Sequence, residues 1–189
     1  MSSKKAINLL RGGMTPAMKL SFHTGRRREV LRQTVFTTAR TLTVAESGAL
    51  ILLDKNEATA ITLPAITVND IGVTYTFLET VASNADRTVN TAYNNDYFIG
   101  SIMMLPSAVW ASGTTQDGLA TDVIAGSTDT QLTFDGNLNN GAGGVGCEVT
   151  LTAVLTGNTA AGGGSKFVWA VTGQMFTADP NSNGSAVFT

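Results

Sequence analysis

The stretch CEVTLTAVLTG, residues 147–157, alternates apolar side chains with threonine. Val149, Leu151, Ala153 and Leu155 fall on one face of an extended chain, and Thr150, Thr152 and Thr156 fall on the other. A period of two is strand geometry, because successive side chains of a strand point to opposite faces. The same period recurs from Thr34 onward. RTLTV places Leu42 with Val44, and AITLP places Ile61 with Leu63 before Pro64 closes the strand. GVTYTFLET sets Val73, Tyr75 and Phe77 against Thr74, Thr76 and Leu78. SKFVWAVTGQMFT sets Phe167, Trp169 and Val171 against Val168, Ala170 and Thr172. ALILLD, DYFIGSIMML and TQLTFDG complete the set, and Gly- and Asn-rich runs such as DGNLNNGAGGVG and TGNTAAGGGS separate the strands. No helical stripe longer than two turns follows residue 40. The pattern predicts an all-β domain over residues 41–189, an antiparallel β-sandwich of jelly-roll-like form.

Residues 1–40 differ in charge. They hold nine of the twelve basic residues and a single acid, Glu29, whereas the remainder holds Lys55, Arg87 and Lys166 against thirteen acids. This asymmetry marks a basic N-terminal arm that docks on something acidic. KKAINLLRG and RRREVLRQT carry apolar residues at helical spacing, but Gly12, Gly13, Pro16 and Gly25 interrupt them. Helices this short are marginal in water, so the arm is expected to gain order on binding. In the chain as a whole only 14% of residues are charged. A surface built from Thr, Ser, Asn and Gly loses few hydrated ions on contact, which favours a protein packed against neighbours.

The residue types that carry catalysis are sparse. His23 is the single histidine and sits in the arm, remote from any ordered nucleophile. Cys147 is the single cysteine, which excludes an intrachain disulfide and a cysteine-based metal site; at the mouth of a strand it reads as a small buried apolar side chain. The acids lie mostly in turns, where Asp bonds local backbone. DGNLNNGAGGVG lacks the Lys-Ser/Thr ending of a phosphate loop and leads into a strand. No apolar run has the length of a membrane span, and the N-terminus lacks the apolar core of a signal peptide, so a reducing cytoplasm is the expected site of synthesis. The arm's arginines suit phosphate, yet the acidic body would repel nucleic acid and no nucleic-acid-binding motif is present. The expectation is a protein that is not an enzyme, with no cofactor, metal, nucleic acid, membrane or small-molecule substrate.

LTVAESGALILLDKNEATAITLPAITVNDIGVTYTFLET, residues 42–80, resembles a pattern found in virion structural proteins of tailed bacteriophages. Its parts are Leu42-Thr43, Ser47-Gly48, the apolar run ending at Asp54, Ile61-Thr62-Leu63-Pro64, Gly72, and the Tyr75/Phe77 strand. The ending QLTFDG, a Gly-rich turn, a Val/Leu/Thr strand and FVWAVTG with Trp169 and Gly173 is similar to theirs too. Among such proteins the resemblance is to capsid decoration (cement) proteins, small β-rich units that sit at junctions between capsid subunits, commonly as trimers. It implies a homotrimer on the virion's capsid exterior, bound to the major capsid protein through the arm. Lys4, Lys5, Arg11, Lys19, Arg26, Arg27, Arg28 and Arg32 would pair with carboxylates of the shell, and Leu9, Leu10, Phe22, Val30 and Leu31 would fill apolar grooves. The alternative is a short head-fibre or tail-fibre protein that binds glycans through exposed aromatics, with Trp110, Tyr93 and Tyr97 as candidates. A polysaccharide-cleaving enzyme is the third class.

Overall fold

A computed structural model describes residues 30–32, 39–93, 96–106, 120–123, 129–136, 143–155 and 167–177. Within them the protein is built from strands and two short 3-10 turns, as the alternation predicts. A seven-stranded sheet runs in the order β1 (Val30–Arg32), β3 (Leu50–Leu53), β5 (Thr74–Glu79), β10 (Glu148–Leu155), β11 (Phe167–Thr177), β7 (Tyr97–Pro106) and β8 (Ala120–Val123). A four-stranded sheet runs β2 (Ala39–Thr41), β4 (Thr59–Thr62), β6 (Arg87–Asn90) and β9 (Gln131–Phe134). The sheets face each other across one core. Ile51, Tyr75, Phe77, Val149, Leu151 and Trp169 of the larger sheet share it with Ile61, Val89, Leu132 and Phe134 of the smaller. The rings of Phe77 and Phe134 meet between the sheets at 6.3 Å.

The antiparallel expectation is corrected. Five of the nine strand pairings among the described residues are parallel. From β1 to β7 the chain visits the two sheets alternately, and β1, β3 and β5 in one sheet and β2, β4 and β6 in the other are neighbours that run the same way. Val30 lies opposite Leu50, and Leu50 opposite Thr76, in one sheet; Ala39 lies opposite Ala60, and Ala60 opposite Thr88, in the other. Only β5–β10, β10–β11, β7–β8 and β6–β9 are antiparallel. A period of two says which side chains face inward and says nothing about the partner strand.

The alternation has a sequence correlate. TVAESGA (43–49) and TVNDIGV (67–73) share Thr-Val-x-acid-x-Gly-apolar. Each forms a 3-10 turn, Val44–Glu46 and Val68–Asp70, that carries the chain from the smaller sheet to the larger. Gly48 (φ 85) and Gly72 (φ 90) close the two turns in the left-handed region, where a side chain would be strained even though open space surrounds both positions. Ala49 and Val73, which follow, are buried.

Individual side chains depart from the simple alternation. Leu42 is buried, but Val44 sits on the 3-10 turn and is exposed. Leu155 is exposed at the end of β10, and Val168, on the outer face, is buried nonetheless. Val30–Arg32 pairs with β3 as a strand, where helical spacing was read, and it falls inside the segment assigned to the arm. Two apolar neighbours, Val30 and Leu31, are too few to tell the periods apart. Cys147 is buried as expected; its Sγ accepts the Phe176 amide at 3.1 Å, and burial pushes the thiol up to about 11.

Three charged side chains are buried among the described residues, Asp96 just before β7 and the pair Glu79 and Arg87. Glu79 ends β5 in the larger sheet and Arg87 begins β6 in the smaller, each 1% exposed, and they form a salt bridge. Arg87 also donates to the carbonyls of Leu53 (3.4 Å) and Val81 (3.3 Å), and the Glu79 carboxylate accepts the Gly144 amide at 2.7 Å. Burial pulls the Arg87 guanidinium down to about 10. Removing one partner strands the other charge in the core, so Arg87→Ala is expected to cost about 3–5 kcal/mol in urea unfolding. Glu79→Leu combined with Arg87→Met is expected to cost less than Arg87→Ala alone, because neither charge of the pair remains.

Candidate functional site: an apolar rim

The alternating path gives the body two unlike rims. Three passages from the smaller sheet to the larger, at 42–49, 63–73 and 91–96, lie on one rim, whereas the described ends of the passage from β9 to β10, at 135–136 and 143–147, lie on the other. The starts of β1, β3, β5, β7 and β11 and the end of β10 lie on the first rim too, because the first five run parallel and β10 opposes them. Passages back to the smaller sheet, at 54–58 and 80–86, lie on the opposite rim.

Exposed apolar side chains concentrate on the first rim. Of nine exposed large apolar residues among those described, six are found there: Val30, Val44, Val68, Ile71, Tyr93 and Leu155. Val68 is 64% exposed and Tyr93 62%. The backbone ties the supporting turns together. Gly48 N–H donates to Thr74 O (2.7 Å), Thr74 N–H to Ser47 Oγ (3.1 Å), and Gly72 N–H to Ala153 O (2.8 Å), so the first turn, the second turn and the end of β10 form one continuous edge. Isolated apolar residues on a surface are ordinary, whereas a concentration on one edge marks a contact surface. The opposite rim instead carries the Lys55–Glu57 ion pair and the network in which the Asn56 side chain accepts from Ser83 Oγ (3.1 Å) and Asn84 N–H (2.8 Å).

Acids on the apolar rim are held in place. Glu46 accepts the Thr43 amide (2.7 Å) and hydroxyl (2.9 Å) and pairs with Arg40. Burial works against its ionisation, but the Thr43 bonds and the Arg40 charge outweigh it and hold the carboxyl below its ordinary value. Asp70 accepts the Thr67 hydroxyl (2.6 Å) and amide (2.9 Å), which lower its carboxyl in the same way. Tyr75, in the core behind them, donates its hydroxyl to Thr43 O at 2.7 Å and anchors the first turn.

Most of the residues assigned to the arm, Lys4, Lys5, Leu9, Leu10, Arg11, Lys19, Phe22, Arg26, Arg27 and Arg28, lie outside the described residues. Val30 is exposed on the apolar rim, and Leu31 is part-buried beside β3 and packs against the core. The backbone of Arg32 lies in β1. Of the aromatic candidates, Trp110 lies outside the described residues. Tyr93 is exposed on the rim, and Tyr97 is part-buried at the start of β7, so the structure does not assemble the three into a described groove. Val44, Val68, Ile71 and Leu155 carry the rim, and the strand reading missed them. The signal was the repeated Thr-Val-x-acid turn, whose valine sits on a turn and cannot reach the core. Among the described residues no group of acids, cysteines or histidines is placed to hold a metal ion, and no helix is long and apolar enough to cross a membrane. No family model, curated protein or solved structure matches the chain.

The two turns make rim order pH-dependent. Both folded carboxyls titrate below their ordinary values, 4.5 for Glu46 and 3.8 for Asp70. Their stabilisation is therefore complete above pH 4.5 and is lost as pH falls through the lower folded values. Thr67→Val is expected to lower the urea midpoint at neutral pH, and the gap to wild type should close on acidification; a constant gap would refute the assignment.

Proposed function

We propose that this protein is a capsid decoration (cement) protein of a tailed bacteriophage, a non-enzymatic homotrimer that binds the major capsid protein at subunit junctions. The observation that carries the reading is the placement of six exposed apolar side chains on the rim where the chain passes from the basic arm into the body, at Val30. In this reading arm and rim bind the same neighbour. The arm contributes cations that suit the carboxylates of a shell, and the rim contributes apolar area that gains by losing water. Each well-buried apolar side chain stabilises the contact by about 1.5–3 kcal/mol, while ordering each arm residue costs about 1–2 kcal/mol of backbone entropy. One copy binds modestly. Many copies on a closed shell resist rupture, because linked contacts must break together. The sandwich-like body, poor in ions, fits a life spent packed against other proteins, on the virion's outer surface.

The test is co-sedimentation with purified capsids. Deleting residues 2–29 spares β1 and is expected to leave a folded body that no longer pellets with capsids. Reversing the charges of Arg26, Arg27 and Arg28 should weaken attachment more at low salt than at high salt. Val68→Asp with Ile71→Asp, at exposed positions, should leave the melting temperature nearly unchanged and weaken capsid binding by about tenfold or more. Undiminished binding by the truncated chain removes the arm from the mechanism, and undiminished binding by the double variant removes the rim.

A further inference from the structure

A second surface, away from the rim, has a different chemistry. On the outer face of the seven-stranded sheet, Met103, Glu148, Thr150, Thr172, Gly173 and Gln174 line an open depression of about 340 Å³. Strand register places these side chains. Glu148 lies opposite Gln174 and Gln174 opposite Met103, which makes one row across β10, β11 and β7. Thr150 lies opposite Thr172 in the next row on the same face. Neighbouring strands are about 5 Å apart and successive rows on one face about 7 Å apart, so Glu148, Gln174, Thr150 and Thr172 mark the corners of a small rectangle. Thr150 shares a hydrogen bond with Thr76 at 3.0 Å. Among the described residues, no partner engages the carboxylate of Glu148, the amide of Gln174 or the hydroxyl of Thr172, and all three side chains are exposed.

We propose that this depression binds a neutral saccharide, one ring wide. Glu148 accepts hydrogen bonds from adjacent ring hydroxyls, Gln174 both donates and accepts, and Thr172 completes the set. Met103, 45% exposed, offers an apolar wall for the C–H face of the sugar. Other ligand classes fit less well. One carboxylate is too few oxygens for a hard cation, which takes six or more. An anion would be repelled by Glu148. A lysine side chain would engage Glu148 and leave the amide and hydroxyls unused. The inference is independent of the decoration reading, since none of these residues lies on the rim.

The experiment is saturation-transfer NMR of the full chain with a panel of neutral hexoses and N-acetylhexosamines, followed by an array of neutral oligosaccharides. The wild-type protein is expected to bind at least one of them in the millimolar range, with transfer strongest at ring protons. Glu148→Ala and Gln174→Ala, both on the exposed face, should each weaken binding by about tenfold without altering the melting temperature. Absence of binding to every saccharide overturns the proposal, as does binding that both variants retain in full. Binding of a lysine-rich peptide with no saccharide binding also overturns it, because Glu148 would then act alone.

Discussion

Glu79 and Arg87 stand at one end of the molecule, one in each sheet, where neither reaches water. Their attraction, with the Leu53 and Val81 carbonyls on the guanidinium and the Gly144 amide on the carboxylate, locks the last residue of β5 to the first of β6. The loop before β10 is drawn into the same knot, because Gly146 N–H donates to Glu79 O and Glu79 N–H to Cys147 O. A charge pair in this position contributes little net free energy beside an apolar replacement, but it penalises every arrangement that separates its members. It therefore specifies where the chain leaves one sheet and enters the other.

From that constraint follows the division of labour between the rims. The rim with the buried pair carries polar side chains that bond to one another, with Val81 and Val145 as its exposed large apolar residues among those described. At the other rim the passages are short turns whose acids are consumed in capping, while their valines and isoleucine face outward. A turn that places its acid on its own backbone frees the adjacent apolar residue for an outside contact. The chain reaches the body at this rim, so the basic arm and the apolar edge act on one partner in the proposed decoration role.

Much of the body was legible in the order of residues. The inward faces of β5, β10 and β11 follow from alternation, and Val73, Tyr75, Phe77, Val149, Leu151, Trp169 and Val171 are all buried. The fate of Cys147 followed from its place at a strand mouth. Val44 was misplaced because alternation was carried past a strand onto a 3-10 turn, and Leu155 because it is the last residue of β10, at the edge of the core. The repeat of Thr43 to Ala49 in Thr67 to Val73 was present in the letters, yet it gains meaning only when both turns are seen to cross between the same two sheets.

The sequence by itself determined an all-β body, most of the faces that turn inward, and a cationic first forty residues ahead of a sparsely charged remainder, because side-chain period and charge are local properties of the chain. Only the tertiary structure decided that successive strands divide between two sheets and pair largely in parallel, that Glu79 meets Arg87, and that scattered valines, an isoleucine, a leucine and a tyrosine gather on one rim. Each of these depends on which distant segments become neighbours, and a period of two is satisfied equally by either partner and either direction.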